Sequence, residues 1–169
     1  MKRFIFVISF TLYLYGCLGQ TRNVVTDSSV VAFSIDKMGN VVSGTISGMK
    51  GHVSLNKTGI SSIEVCIDPA TINTEHKTRD KHLKSDDYFD VETFPSICFY
   101  SGNVEKMAGA YKAKGTLSMH GFSKEISIPI YFNNNIIMGT IIVDRYEFGI
   151  GKKGDMAMGR EVQITIKCM

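Results

Sequence analysis

From about residue 30 onward the chain alternates apolar and polar positions. Ile63, Val65 and Ile67 share one face against Ser62, Glu64 and Cys66, and Ile126, Ile128 and Ile130 oppose Glu125, Ser127 and Pro129. A period of two is that of a β-strand, whose successive side chains point to opposite faces. Eight runs share this character and are rich in Val, Ile, Thr, Phe and Tyr: VVAFSID, VVSGTISGM, SSIEVCI, SICFYS, AYKAKGTLSM, EISIPIYF, IIMGTIIVDRYEF and EVQITIKC. They predict eight strands. One face is apolar and the other mixed, as for antiparallel strands around a shared interior.

Turn chemistry separates the runs. Met38-Gly39-Asn40, Asn56-Lys57-Thr58-Gly59, Ala108-Gly109, His120-Gly121 and Asn133-Asn134-Asn135 supply residues that tolerate positive φ. Links this short join neighbouring strands up and down. Asn56-Lys57-Thr58 has the form of a glycosylation acceptor, but the opening of the chain resembles a bacterial leader, and the triplet reads as a turn.

Residues 74–91 break the pattern. RDKHLKSDDYFDV, residues 79–91, is dense in charge, and Leu83, Asp87 and, offset, Phe89 form a weak helical stripe that Pro95 stops. Thr74 is the expected cap. The expectation is a short helical insert at about 76–90 between two strands.

The chain opens MKRFIFVISFTLYLYGCLGQ, with Lys2 and Arg3 before an apolar run from Phe4 to Tyr15 and small residues at Gly16, Cys17 and Gly19. This reads as a secretory leader, the run being shorter than the ~20 apolar residues that cross a bilayer. Two exits stay open: cleavage after residue 19, or cleavage after residue 16 with Cys17 as a lipidation candidate in a lipobox-like Leu14-Tyr15-Gly16-Cys17. Residues 20–169 are then one domain. Losing Lys2 and Arg3 lowers the formal charge from +3 to +1, which withdraws the main support for a nucleic-acid partner. Cys66, Cys98 and Cys168 remain beyond Cys17, so at least one thiol of an exported chain has no partner within it. Cys66 and Cys98 lie on faces opposite Ile63 and Ile97, and pairing stays open to them where their strands adjoin.

Several motifs suggest chemistry that their context removes. Gly149-Ile150-Gly151-Lys152-Lys153-Gly154 spells G-x-G-x-x-G, but only fifteen residues follow it, and a dinucleotide site needs a helix and a further acidic strand. It reads as a glycine-rich loop. Gly121-Phe122-Ser123-Lys124-Glu125 lacks the second glycine of a nucleophile elbow. His52, His76, His82 and His120 are scattered and lack zinc spacing, so neither a metal nor a cofactor is expected. Asp86, Asp87 and Asp90 sit among Arg79, Lys81 and Lys84, a self-compensating surface. Arg79 and Asp80 beside His82 predict a half-buried polar network that fixes the insert to the barrel mouth.

RDKHLKSDDYFDVETFPSICFYSG also resembles the signature of the YceI-like polyisoprenoid-binding proteins, through Arg79, Asp80, His82, Leu83, Phe89, Asp90, Val91, Phe94, Pro95, Phe99 and Ser101. GTLSMHGFSKEISIPI is similar to that family's Gly-x-Leu strand pair through Gly115, Leu117, Gly121, Lys124 and Pro129, and VDRYEFGIG to its Arg-x-Asp-Phe-Gly turn, with Glu147 in place of the Asp. The family's His before Met-Gly is Lys37 here. The resemblance spans roughly residues 30–168. It implies an all-β fold, an extended, lipocalin-like antiparallel eight-stranded barrel that holds a long apolar molecule such as a polyisoprenoid, quinone or fatty acyl chain. Family members form dimers, which extends the implication to a homodimer.

The expected function is that of an exported, non-enzymatic lipid-binding protein, periplasmic or anchored through Cys17 as its one membrane contact. Phe33, Ile35, Ile63, Val65, Ile97, Phe99, Leu117, Ile128 and Ile142 are the inward-facing side chains expected to line an apolar tunnel. Two alternatives stand beside it. One is a structural envelope protein whose barrel is filled, with Met119, Met138, Met156 and Met158 as flexible filler. The other is a lipid enzyme, which requires Arg79, Asp80 and His82 to face a cavity with a raised carboxyl pKa.

Overall fold

The computed structural model describes residues 19–24, 28–152, 154 and 157–169. Residues 1–18 of the leader, Cys17 among them, and Met156 lie outside the described residues. Ten strands form one antiparallel sheet: β1 (Gln20–Asn23), β2 (Val30–Lys37), β3 (Asn40–Ile46), β4 (Lys50–Asn56), β5 (Gly59–Ile67), β6 (Ile97–Met107), β7 (Ala110–Met119), β8 (Phe122–Asn133), β9 (Ile136–Asp144) and β10 (Glu161–Cys168). One short helix, α1 (Lys77–Leu83), and 3-10 turns at Pro69–Thr71 and Arg145–Phe148 complete the described elements.

The strand order is β1-β4-β5-β6-β7-β8-β9-β10-β2-β3. β3 and β4 therefore stand toward opposite ends of the sheet, yet only Ser47, Gly48 and Met49 separate them in the chain. Eight antiparallel steps lead from β4 to β3, so the two have the same sense. They run on as one bent strand whose first half pairs with β2 and second half with β5. This continuity draws the sheet into a curl. Counted as one strand, with the short β1 set aside, it reconciles ten observed strands with eight expected ones.

The seam beside β3 is filled by the segment after β5. Thr45 and Asn73 exchange two backbone hydrogen bonds of 2.9 Å, and Ser47 N donates to Thr71 Oγ1 at 2.8 Å. Gly48 at the bend has φ +70°, and a Cβ there would lie 3.1 Å from Asp68 Cβ; the bend needs glycine.

Turns alternate between the two ends of the curl. Met38-Gly39, the insert between β5 and β6, His120-Gly121 and the β9–β10 connection share one end, here the insert end. Lys57-Thr58, Ala108-Gly109 and Asn134-Asn135 share the far end. The hairpin turns keep positive φ where the sequence predicts tolerance, at Met38 (52°) with Gly39 (80°) and at His120 (50°) with Gly121 (75°). Asn56 Oδ1 accepts from Thr58 N and Oγ1, closing a side-chain-stabilised turn at the acceptor-like triplet.

The helix begins two residues later than its expected cap. His76, not Thr74, is the N-cap, with Nδ1 accepting from Arg79 N at 3.3 Å. Thr74 is instead buried and bonded to Arg79 and Asp80, so its hydroxyl is unavailable to the helix terminus.

Candidate functional site

The inward faces of the strands do not meet. They surround a cavity of about 670 Å³, walled mainly by Ile, Val, Leu, Phe and Met, and among the described residues no Asp or Glu lines it. Phe33 and Ile35 from β2, Ile63 and Val65 from β5, Ile97 and Phe99 from β6, Leu117 from β7 and Ile128 from β8 all line it. Ile142 does not. It is 66% exposed on the outer face of β9, opposite Gln163, while Ile141 and Val143 turn inward. Ile136-Ile137 and Ile141-Ile142 are apolar doublets, and a doublet carries no information about which of its members faces in. On β10 the alternation of Val162, Ile164 and Ile166 with Gln163, Thr165 and Lys167 is clean, and all three apolar residues line the cavity.

At the insert end the wall becomes polar. Lys37, His76, Thr78, Arg79 and His82 contribute, and of these only Arg79 is not exposed. The lining residues toward the far end are covered: Ile130 is 3% and Ile137 8% exposed. The cavity thus opens beneath the insert. Leu83, Tyr88 and Phe89 bring the insert's own apolar side chains to the wall, so the segment caps the hollow as well as rimming it.

The expected polar network forms around Thr74. Arg79 Nε donates to Thr74 Oγ1 and Arg79 Nη2 to Thr74 O, both at 2.7 Å; Thr74 N donates to Asp80 Oδ1 at 2.9 Å, and the Thr74 hydroxyl donates to the same oxygen. These bonds, the Thr74 hydroxyl first, hold the Asp80 carboxyl below its ordinary range against a smaller opposing effect of burial. His82 is not a member. Its exposed ring stands edge-on to Tyr88 at 4.9 Å, because α1 turns its side chain away from Thr74 and toward the cavity rim.

Arg145 is a buried charged wall residue to which sequence reasoning gave no role. It is 4% exposed, and its guanidinium donates to Ile150 O and Gly159 O at 2.8 Å, Tyr146 Oη at 3.0 Å and Met158 O at 3.2 Å. The cation is compensated by carbonyls and ties the β9–β10 connection to the sheet. A Cβ at Gly151 (φ +72°) would lie 2.5 Å from Arg145 Nη1 and 3.1 Å from Tyr88 Cε1. That close approach explains one glycine of the G-x-G-x-x-G string, whose Gly149, Gly151 and Gly154 all take positive φ.

Cys66 and Cys98 stand directly opposite each other in β5 and β6 and are joined as a disulfide, with Cα atoms 4.0 Å apart. The bond closes the base of the insert. Cys168 is free, buried and part of the cavity wall; burial pushes its thiol pKa up, with a smaller opposing effect from Ser29. Among the described residues no three His, Cys, Asp or Glu side chains converge as a metal site would require.

A family model for the YceI-like domain matches residues 23–169. The chain belongs to that family. A UPF0312 protein of Pseudomonas syringae pv. tomato is 31% identical over 152 residues, covering 81% of this chain and 79% of that protein. Another, from Photorhabdus laumondii, is 31% identical over 99 residues, and the match spans 57% of this chain and about half, 52%, of the relative. Among solved structures, Burkholderia cenocepacia BcnA superposes with a TM-score of 0.80 at 21% identity over 86% of this chain and 98% of its own. A polyisoprenoid binding domain from Saccharophagus degradans, implicated in plant cell wall breakdown, gives 0.62 at 12% identity over 86% and 95%. At these identities the structural likeness concerns the fold.

Proposed function

We propose that this YceI-like chain is an exported, non-catalytic binding protein that carries a long apolar lipid, a polyisoprenoid, quinone or fatty acyl chain, inside the curled sheet. The observation that carries the reading is the 670 Å³ apolar cavity that opens beneath the insert. Its volume lies within the roughly 300–1,000 Å³ of small-molecule sites. Each isoprene unit adds five carbons, about 3–4 kcal/mol gross at ~0.8 kcal/mol per buried carbon group, so three units gain on the order of 10 kcal/mol before ordering costs. Affinity of that size needs little polar readout, and chain length counts for more than head group. The ligand class follows the description of the Saccharophagus domain as polyisoprenoid-binding.

Export is supported by the leader-like opening, with Cys17 as lipid anchor or discarded, and by a Cys66–Cys98 disulfide, which persists in oxidising compartments. A filled structural barrel is disfavoured by the open volume. An enzyme at Arg79, Asp80 and His82 called for a raised carboxyl pKa, and that of Asp80 is lowered. Denaturing mass spectrometry of organic extracts from purified protein tests the carrier reading. A long-chain lipid near one per protein is the expected result; protein that yields none and binds none when offered it defeats the proposal.

A further inference from the structure

Along β4 to β8 the hollow does not run the full length of the strands. Leu55, Ile60, Val104, Ala113, Tyr111 and Phe132 belong to the core, yet none of them lines the cavity. All lie within four residues of a far-end turn. At the hairpins of β4 to β8 the far end is therefore solid, while Ile137, Cys168 and Val31 carry the cavity wall toward the far-end termini of β9, β10 and β2. The plug abuts the cavity directly, since Tyr111 pairs with Ile130 and Phe132 with Ile137, and both isoleucines are cavity wall.

Tyr111 dominates this plug. It starts on β7, yet its ring reaches past β6 to the first residue of β5: a Cβ at Gly59 would lie 2.1 Å from Tyr111 Oη and 2.8 Å from ring carbons. Gly59 has φ +122°, and a larger residue there would evict the ring. Ala113, 0% exposed, leaves room behind it. A chain entering from the insert end, tail first, meets this floor.

We propose that Tyr111, backed by Ile60 and Phe132, is the specificity-determining stop that sets the longest tail the cavity accepts. The inference rests on the carrier reading above. Competition by straight-chain primary alcohols, from octanol to octadecanol, against a fluorescent apolar probe on the delipidated full chain tests it. For the unaltered protein, affinity rises roughly fourfold per methylene until the tail reaches the floor, then stops rising. Tyr111→Ala is expected to bind short alcohols as before and to continue the rise, gaining roughly fifteenfold for an alcohol two carbons past the former limit. Tyr111→Phe keeps the limit, because bulk and not the hydroxyl forms the stop. Ile130→Phe moves the limit shorter, and decides the matter if Tyr111→Ala fails to fold. An unmoved limit in a folded Tyr111→Ala or Ile130→Phe protein overturns the stop while leaving the carrier reading intact. Failure of every alcohol and of the probe to bind overturns the carrier reading, and the stop with it.

Discussion

Thr74 shows how one small side chain can organise a charged segment. Buried and bonded to both Arg79 and Asp80, it turns adjacent opposite charges into a clamp that holds α1 over the cavity rim. Asp80 serves this clamp ionised, and its pKa is lowered in the folded protein, chiefly by the Thr74 hydroxyl. A depressed carboxyl contributes stability above its unfolded pKa of about 3.9 and loses it as pH falls through the folded value. The insert should therefore loosen at its base only below about pH 4, with the Thr74 and Arg79 amide resonances shifting together. In Asp80→Asn that local acid transition should vanish. An unchanged transition in the variant would assign it to another carboxyl. Arg79 and Asp80 were legible as a network because opposite charges lie side by side in the sequence. Thr74 was misread as a cap, since its buried position depends on the Thr45–Asn73 pairing, a contact between segments that no local pattern announces.

At the scale of elements, clean alternation was readable and ambiguous alternation was not. Val162, Ile164 and Ile166 declare their face; Ile141-Ile142 does not, and Ile142 was placed inside wrongly. β4 escaped notice because Lys50, Gly51 and His52 dilute its apolar pattern, and its place depends on continuing β3 around the curl. Adjacency of β5 and β6 decides what the sequence left open for Cys66 and Cys98. Their bond joins residues 32 apart in sequence at the neck of the insert, and loop-closure entropy for such a span is about 3–4 kcal/mol. Cys66→Ser with Cys98→Ser should lower stability to urea by about that amount under non-reducing conditions. A loss below ~1 kcal/mol would mean that the strand pairing at Ile67 and Ile97 holds the neck unaided.

For the whole molecule, a hollow of 670 Å³ sets this chain apart from ordinary close-packed interiors, in which a side chain meets atoms on every side. Wall residues facing an empty hollow lose those contacts, and a ligand that binds only the folded state restores them and shifts unfolding by mass action. At a hundredfold excess over Kd the gain is about 2.7 kcal/mol, which for a chain of this size moves Tm by roughly 5–10 °C. Delipidated protein should accordingly melt lower than protein as purified. Added hexadecanol should raise Tm without a plateau as its free concentration increases, whereas butanol, too short to fill the hollow, should leave it unchanged. Thermal unfolding followed by circular dichroism reads both effects. Equal Tm values with and without the long alcohol would mean that the cavity closes on itself in solution, and that the folded state gains nothing from a guest.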